Sequence, residues 1–301
     1  MPTTARGLFV ARADPSAGGY LAITVSKPEP THHDHGIRWG VVALIGAVTL
    51  LGVLGPKLLW MIDAYRNTVR SWPVDAQYMV HPTMRMLLVL AGWILIVRVL
   101  APGRQPTMGL AIGWPRAIKG AALGVLCSLP MLVLGLFSAE SSPTRHEVLY
   151  TGLMPGFTEE VFYRAFMFGL LVQAARCPVW TNAIITGVVF GLAHVDLTPE
   201  PGQTILGQIG PWIGIIALGG FMYAWLFWES GWNLWLVIAL HAGMNLWWDM
   251  FDLSATPLGG LGATAARFLA VGLAVFLVFG LRALGPRPSD TISNEQPATD
   301  D

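Results

Sequence analysis

Apolar runs of membrane-spanning length set the terms for this chain. Residues 120–137 and 209–228 contain no Asp, Glu, Lys or Arg, and a helix needs about 20 residues, within a range of roughly 17–25, to cross the hydrocarbon layer. Eight such stretches can be drawn, at 39–62, 84–101, 118–138, 148–175, 178–195, 209–228, 231–250 and 266–284. Only 12% of the residues are charged and 54% are hydrophobic, against about 25% charged in ordinary globular domains. Much of the surface is therefore expected to face lipid. Strict alternation of polar and apolar residues is absent, which favours helices over a membrane barrel. The expected fold is all-α, a polytopic membrane bundle of about eight transmembrane helices.

One membrane domain with two tails follows from this pattern. Residues 1–37 are polar, carry Pro15, Pro28 and Pro30, and lack the apolar region of a signal peptide. The bundle occupies 38–285, and the polar residues 286–301 are expected to be disordered. His32, His33, Asp34 and His35 read as a solvated linker rather than a metal site. A net charge of zero gives no reason to expect nucleic acid as a partner. The lipid bilayer is the expected partner. Cys127 and Cys177 show no metal-type spacing and are expected to be free thiols. With eight crossings, the side holding both termini collects eleven Lys and Arg against six, which places both termini in the cytoplasm.

Against this apolar background, a few polar residues stand out. A charge at the centre of a membrane helix costs roughly 2.5–3.5 kcal/mol on insertion scales, yet the fourth stretch contains Thr158-Glu159-Glu160-Val161-Phe162-Tyr163-Arg164. Glu160 and Arg164 are four apart and share a helix face, so they can pair. Glu159 then remains as an extra carboxylate, about 100° around the helix. The alternative is an interfacial helix with a solvated acidic face. Val161, Phe162, Phe166, Met167, Phe168, Leu170 and Leu171 wrap nearly the whole circumference, however, and leave no clean polar side. His194 closes Phe190-Gly191-Leu192-Ala193-His194, and His241 lies inside the seventh stretch with Asn245 one turn later on the same face. One histidine in a membrane helix is often a hydrogen-bonding tie between helices. Two histidines, an asparagine and a carboxylate pair in three stretches are better explained by one shared buried site.

Such a set suits hydrolysis of an amide, which needs a base for water, donors for the developing oxyanion and an acid for the leaving amine. Glu159 or Glu160 fits the base. His241 and Asn245 can present donors to the oxyanion, and His194 can orient the water or protonate the amine. The same residues offer a second possibility, because two His and one Glu (His194, His241 and Glu159) form a recognised catalytic zinc set with one position left for water. There is no H-E-x-x-H, which would put ligands and base on one helix. Metal-free glutamate catalysis therefore ranks above zinc, and no cofactor is expected.

Taken together, these residues resemble the CPBP intramembrane proteases, named for CAAX proteases and bacteriocin-processing enzymes. That family shows E-E-x-x-x-R, then F-x-x-x-H, then H-x-x-x-N or H-x-x-x-D on successive membrane helices. This chain has Glu159-Glu160 with Arg164, Phe190 with His194, and His241 with Asn245, all in order. The resemblance covers about 150–250 and places a protease-like core at 148–250. It implies a peptidase acting on a membrane-associated or lipidated protein or peptide, with Glu159 as water-activating base and Glu160 as its supporting carboxylate. Arg164 would orient the glutamates, His194 would assist the base, and His241 with Asn245 would form the oxyanion site. The expected location is the plasma membrane of a bacterium. The rival readings are a non-catalytic scaffold or bacteriocin-immunity protein of the same fold and, behind it, a transporter. No inverted repeat with paired broken helices supports the transporter. Asp249 and Asp252 read as a solvated helix end, Asp196 as a loop residue, and Trp247 and Trp248 as interfacial anchors.

Overall fold

The computed structural model describes residues 36–102, 106–137, 144, 146–197, 204–253, 258–280 and 284. The histidine cluster at 32–35, nearly all of the N-terminal tail and the whole C-terminal tail expected at 286–301 lie outside the described residues. Among the described residues every regular element is helical. In chain order these are α1 (Trp39–Trp60), α2 (Asp63–Arg70), α3 (Val74–Leu100), α4 (Trp114–Gly135), α5 (147–173), α6 (Val179–Ala193), α7 (Ile205–Glu229), α8 (Leu234–Met250) and α9 (Leu261–Gly280). Cys127 and Cys177 are free thiols.

The protein is an integral membrane protein. Five helices, α1, α3, α4, α7 and α9, are long and apolar enough to cross a bilayer. The other three stretches of the expected eight miss that measure for separate reasons. Helix α6 has 15 residues, about 22 Å at 1.5 Å per residue, against a hydrocarbon core of about 30 Å. Helix α8 has 17 residues, and α5 carries Glu159, Glu160 and Arg164. Helix α3 begins at Val74, earlier than hydropathy marks it, because Asp75, Gln77 and His81 form a polar first half and Pro82 is accommodated inside the helix. The short α2 was not visible as an apolar run. It is amphipathic, with Asp63 in its first turn ion-paired to Arg66.

Helix α5 lies at the centre of the bundle. Every residue of Glu160–Phe168 is buried, and this segment is wound as a π-helix. A helix lying on the membrane surface would keep a wet side, so the interfacial alternative does not hold. Wider π turns are frequently found at functional sites.

Helices α4 and α8 form a close pair. A Cβ added at Gly124 of α4 would sit 2.4 Å from Leu236 O and 2.7 Å from Leu240 N of α8, so the two backbones touch through a residue without a side chain, as is common between membrane helices. The pair is also fastened at its end. Asn233 caps α8, its Oδ1 accepting from Leu236 N at 3.4 Å, while its Nδ2 donates to Arg116 O at 2.9 Å. Gly124→Val is expected to cost about 3 kcal/mol or more, because backbone cannot move aside as a flexible side chain can. Thermal unfolding in detergent, followed by tryptophan fluorescence, measures it.

Candidate active site

Close approach of α5 to α8 builds the site. A Cβ added at Gly156 would lie 2.6 Å from Ala242 N. This contact brings Glu160, one turn later on α5, beside His241, the residue preceding Ala242. The Glu160 carboxylate is fully buried, with 0% exposure. Its Oε1 accepts from His241 Nδ1 at 2.7 Å and faces Arg164 Nη1 at 3.1 Å. The arginine contact lies off the line of the N–H bonds, so it is an ion pair rather than a formed hydrogen bond. Glu160 Oε2 and Arg164 Nε have no hydrogen-bond partner among the described residues. Buried charges in this position depend strongly on each other.

Aromatic rings and one backbone carbonyl complete the surroundings of Arg164. Its guanidinium lies 4.5 Å from the Phe190 ring centroid and 5.2 Å from that of Tyr223. Its Nη2 donates to Gly220 O of α7 at 3.4 Å. Cation–π attraction of this kind strengthens when the pair is removed from water.

Both histidines are held so that the same ring nitrogen remains available. His194 Nδ1 lies 2.8 Å from Phe190 O. A carbonyl only accepts, so Nδ1 carries the proton and a neutral His194 bears its lone pair on Nε2. The ring stacks on Trp212 at 5.3 Å. Lys57 of α1 donates to Val195 O, tying α1 to the chain just beyond His194. The same reasoning applies to His241, whose Nδ1 faces the Glu160 carboxylate. In its singly protonated form it offers the Nε2 lone pair, and it donates from Nε2 only when doubly protonated.

These side chains meet at a cavity of about 530 Å³. Glu159, Arg164, His194, His241 and Asn245 line it, whereas Glu160 lies behind the wall. The two adjacent glutamates are thus divided: Glu159 is half-buried and reaches the cavity, and Glu160 is sealed beneath it. The suggested zinc set does not gather. Among the described residues no three His, Cys, Asp or Glu side chains are close enough to hold a metal ion, and Glu159, His194 and His241 do not form a ligand cluster.

Several lining residues were not singled out as functional by sequence reasoning. Tyr223 and Trp212 come from the sixth apolar stretch, where nothing marks them apart from other aromatics. Arg267, at the start of the eighth apolar stretch, entered only the charge count of the two sides, yet it lines the cavity from α9. Trp248 also lines the cavity, and Trp247 Nε1 donates to Ser128 Oγ of α4 at 3.0 Å. Both are thus engaged inside the bundle rather than serving simply as interfacial anchors. Asp249 faces the cavity too and accepts from Thr151 Oγ1 at 2.5 Å.

Comparison with known proteins bears on the middle of the chain. Residues 142–247 match the family model described as Rce1-like, type II CAAX prenyl endopeptidase Rce1-like. Over this core the chain is similar to the CPBP intramembrane proteases, which supports the resemblance carried by its three motifs. No curated protein and no solved structure matches the chain. The Rce1-like core spans about a third of the sequence and contains Glu159, Glu160, Arg164, His194, His241 and Asn245. Helices α1, α2, α3, α4 and α9 lie outside it. The match to the Rce1-like model supports intramembrane endopeptidase activity in general.

Proposed function

We propose that the protein is an intramembrane endopeptidase that hydrolyses a peptide bond of a membrane-associated or lipidated protein or peptide, using water activated by Glu159. The observation that carries this reading is the division of the two glutamates. Glu159 opens on the cavity that His194 and His241 also line, while Glu160 is withdrawn to hold His241 and Arg164. A base must reach the water it activates, and an orienting carboxylate need not. Glu159 takes a proton from water, and the free Nε2 of His194 accepts from that water and holds it in place. The resulting hydroxide attacks the carbonyl carbon. Negative charge on the carbonyl oxygen is met by the Asn245 amide and by doubly protonated His241, with Glu160 as the counter-charge. The C–N bond then breaks, and the proton held by Glu159 passes to the leaving nitrogen, giving a carboxylic acid and an amine, with the acid's proton returning to Glu159 or the amine. Ile215, Ile216, Met244, Phe268 and Val271 give the cavity an apolar lining suited to an apolar substrate segment.

The mechanism as written uses no metal. Purified protein in detergent, incubated with labelled peptides that include a prenylated C-a-a-X peptide, is expected to cut with rates unchanged by strong chelators. Loss of cleavage on chelation and its return with zinc would replace this mechanism with a metal-dependent one. A folded protein that cuts nothing would favour the non-catalytic scaffold.

A further inference from the structure

Helix α8 carries the cavity wall along one face. His241, Asn245 and Trp248 follow one another at spacings of four and three residues, and all three line the cavity. At 1.5 Å rise per residue, Trp248 lies about 10 Å beyond His241 along the helix axis. The cavity therefore has a second end, about two turns of α8 beyond His241.

A cation occupies that second end. Arg267 lines the same cavity as Glu159, although it belongs to α9, one of the helices apolar enough to span the membrane. Its guanidinium carbon lies 3.9 Å from the Trp248 ring centroid. Its Nη1 donates to Leu258 O at 3.1 Å. These contacts fix the plane of the guanidinium. Asp249, on the same wall, accepts from Thr151. A charged residue in a spanning helix is costly and marks a functional position more often than a structural one. Arg is also the side chain whose planar fork matches a carboxylate.

We propose that Arg267, held against Trp248, is a specificity-determining residue that binds a carboxylate of the substrate at the end of the cavity remote from the bond that is cut. The proposal deepens the peptidase reading and rests on it. Binding energy gained there orients the scissile bond against Glu159, as remote contacts do in other enzymes. A carboxylate reaches this position from either of two sources, the substrate's C-terminus or an Asp or Glu side chain.

The test uses full-length protein in detergent and one apolar labelled peptide in three forms. These carry a free C-terminus, a C-terminal amide, or a C-terminal amide with one internal glutamate. Binding is read by fluorescence anisotropy on the Glu159→Gln protein, and cleavage on the protein with Glu159 intact. At least one carboxylate form is expected to bind roughly 10–100-fold more tightly than the neutral amide, the range of a charge-assisted hydrogen bond. Arg267→Gln should erase that preference and Arg267→Lys should keep part of it. In cleavage, Arg267→Gln should raise KM for the acidic peptide with kcat changed only a few-fold. Tight binding of the free acid alone assigns the carboxylate to the C-terminus, whereas tight binding of the glutamate form assigns it to a side chain.

Equal binding of neutral and acidic peptides overturns the proposal, as does a preference that survives Arg267→Gln. Should Arg267→Gln fail to fold, Arg267→Lys and the comparison of peptide forms on the parent protein decide the matter. A carboxylate preference that depends on Arg267, in a protein that cleaves nothing, would sink the peptidase reading and leave the anchor standing.

Discussion

Glu159→Gln is expected to reduce peptide-bond hydrolysis by roughly 10²–10⁴-fold, the usual contribution of a general base, while leaving thermal unfolding near that of the parent protein. The two halves of this expectation have separate causes. Glutamine keeps the shape and polarity of the side chain but cannot take a proton from water. Glu159 is half-buried on the cavity wall rather than sealed in the core, and substitutions of that kind usually change stability by about 0.5 kcal/mol or less. Rates from peptide cleavage and unfolding midpoints from the same preparation check both halves.

Arg164→Ala is expected to act on stability instead. The arginine is 1% exposed and faces Glu160, which is 0% exposed, at 3.1 Å. Removing one partner leaves the other as a buried charge, at a cost of about 3–5 kcal/mol. Lysine should not restore the loss, because it cannot both donate to Gly220 O and present a flat cation to Phe190 and Tyr223. A double replacement, Glu160→Leu with Arg164→Leu, should recover part of the stability lost by Arg164→Ala, since it removes both charges. Thermal unfolding of Arg164→Ala, of Glu160→Leu and Arg164→Leu singly, and of the double variant in one detergent gives the comparison. If the double variant is as unstable as the sum of its parts, the pair does not act as a unit.

Much of the site was legible because the membrane makes polar residues conspicuous. Glu159, Glu160, Arg164, His194, His241 and Asn245 interrupt apolar stretches, and the spacing of Glu160 with Arg164 follows from helix geometry alone. Which glutamate faces the cavity was not legible. It depends on the contact of Gly156 with Ala242, which sets the rotation of α5 against α8. The partner of His241 was hidden for the same reason. Arg267 was misplaced because a charge near the start of an apolar run looks the same to hydropathy whether it points to solvent or inward. Five of the eight expected spans have the length and apolarity of a membrane crossing as helices, whereas α5 is too charged, and α6 and α8 are too short, to meet both measures. The polar beginning of α3 hid its first turns in the same way.

The central claim is that Glu159 performs the chemistry and Glu160 organises the site. The most direct test measures single-turnover cleavage and the unfolding midpoint for Glu159→Gln and Glu160→Gln side by side, in the same detergent and on the same labelled peptide. The account predicts that Glu159→Gln loses the rate and keeps its midpoint, whereas Glu160→Gln drops markedly in midpoint as Arg164 and His241 lose their shared partner. A stable, inert Glu160→Gln beside an active Glu159→Gln would contradict it and exchange the two roles.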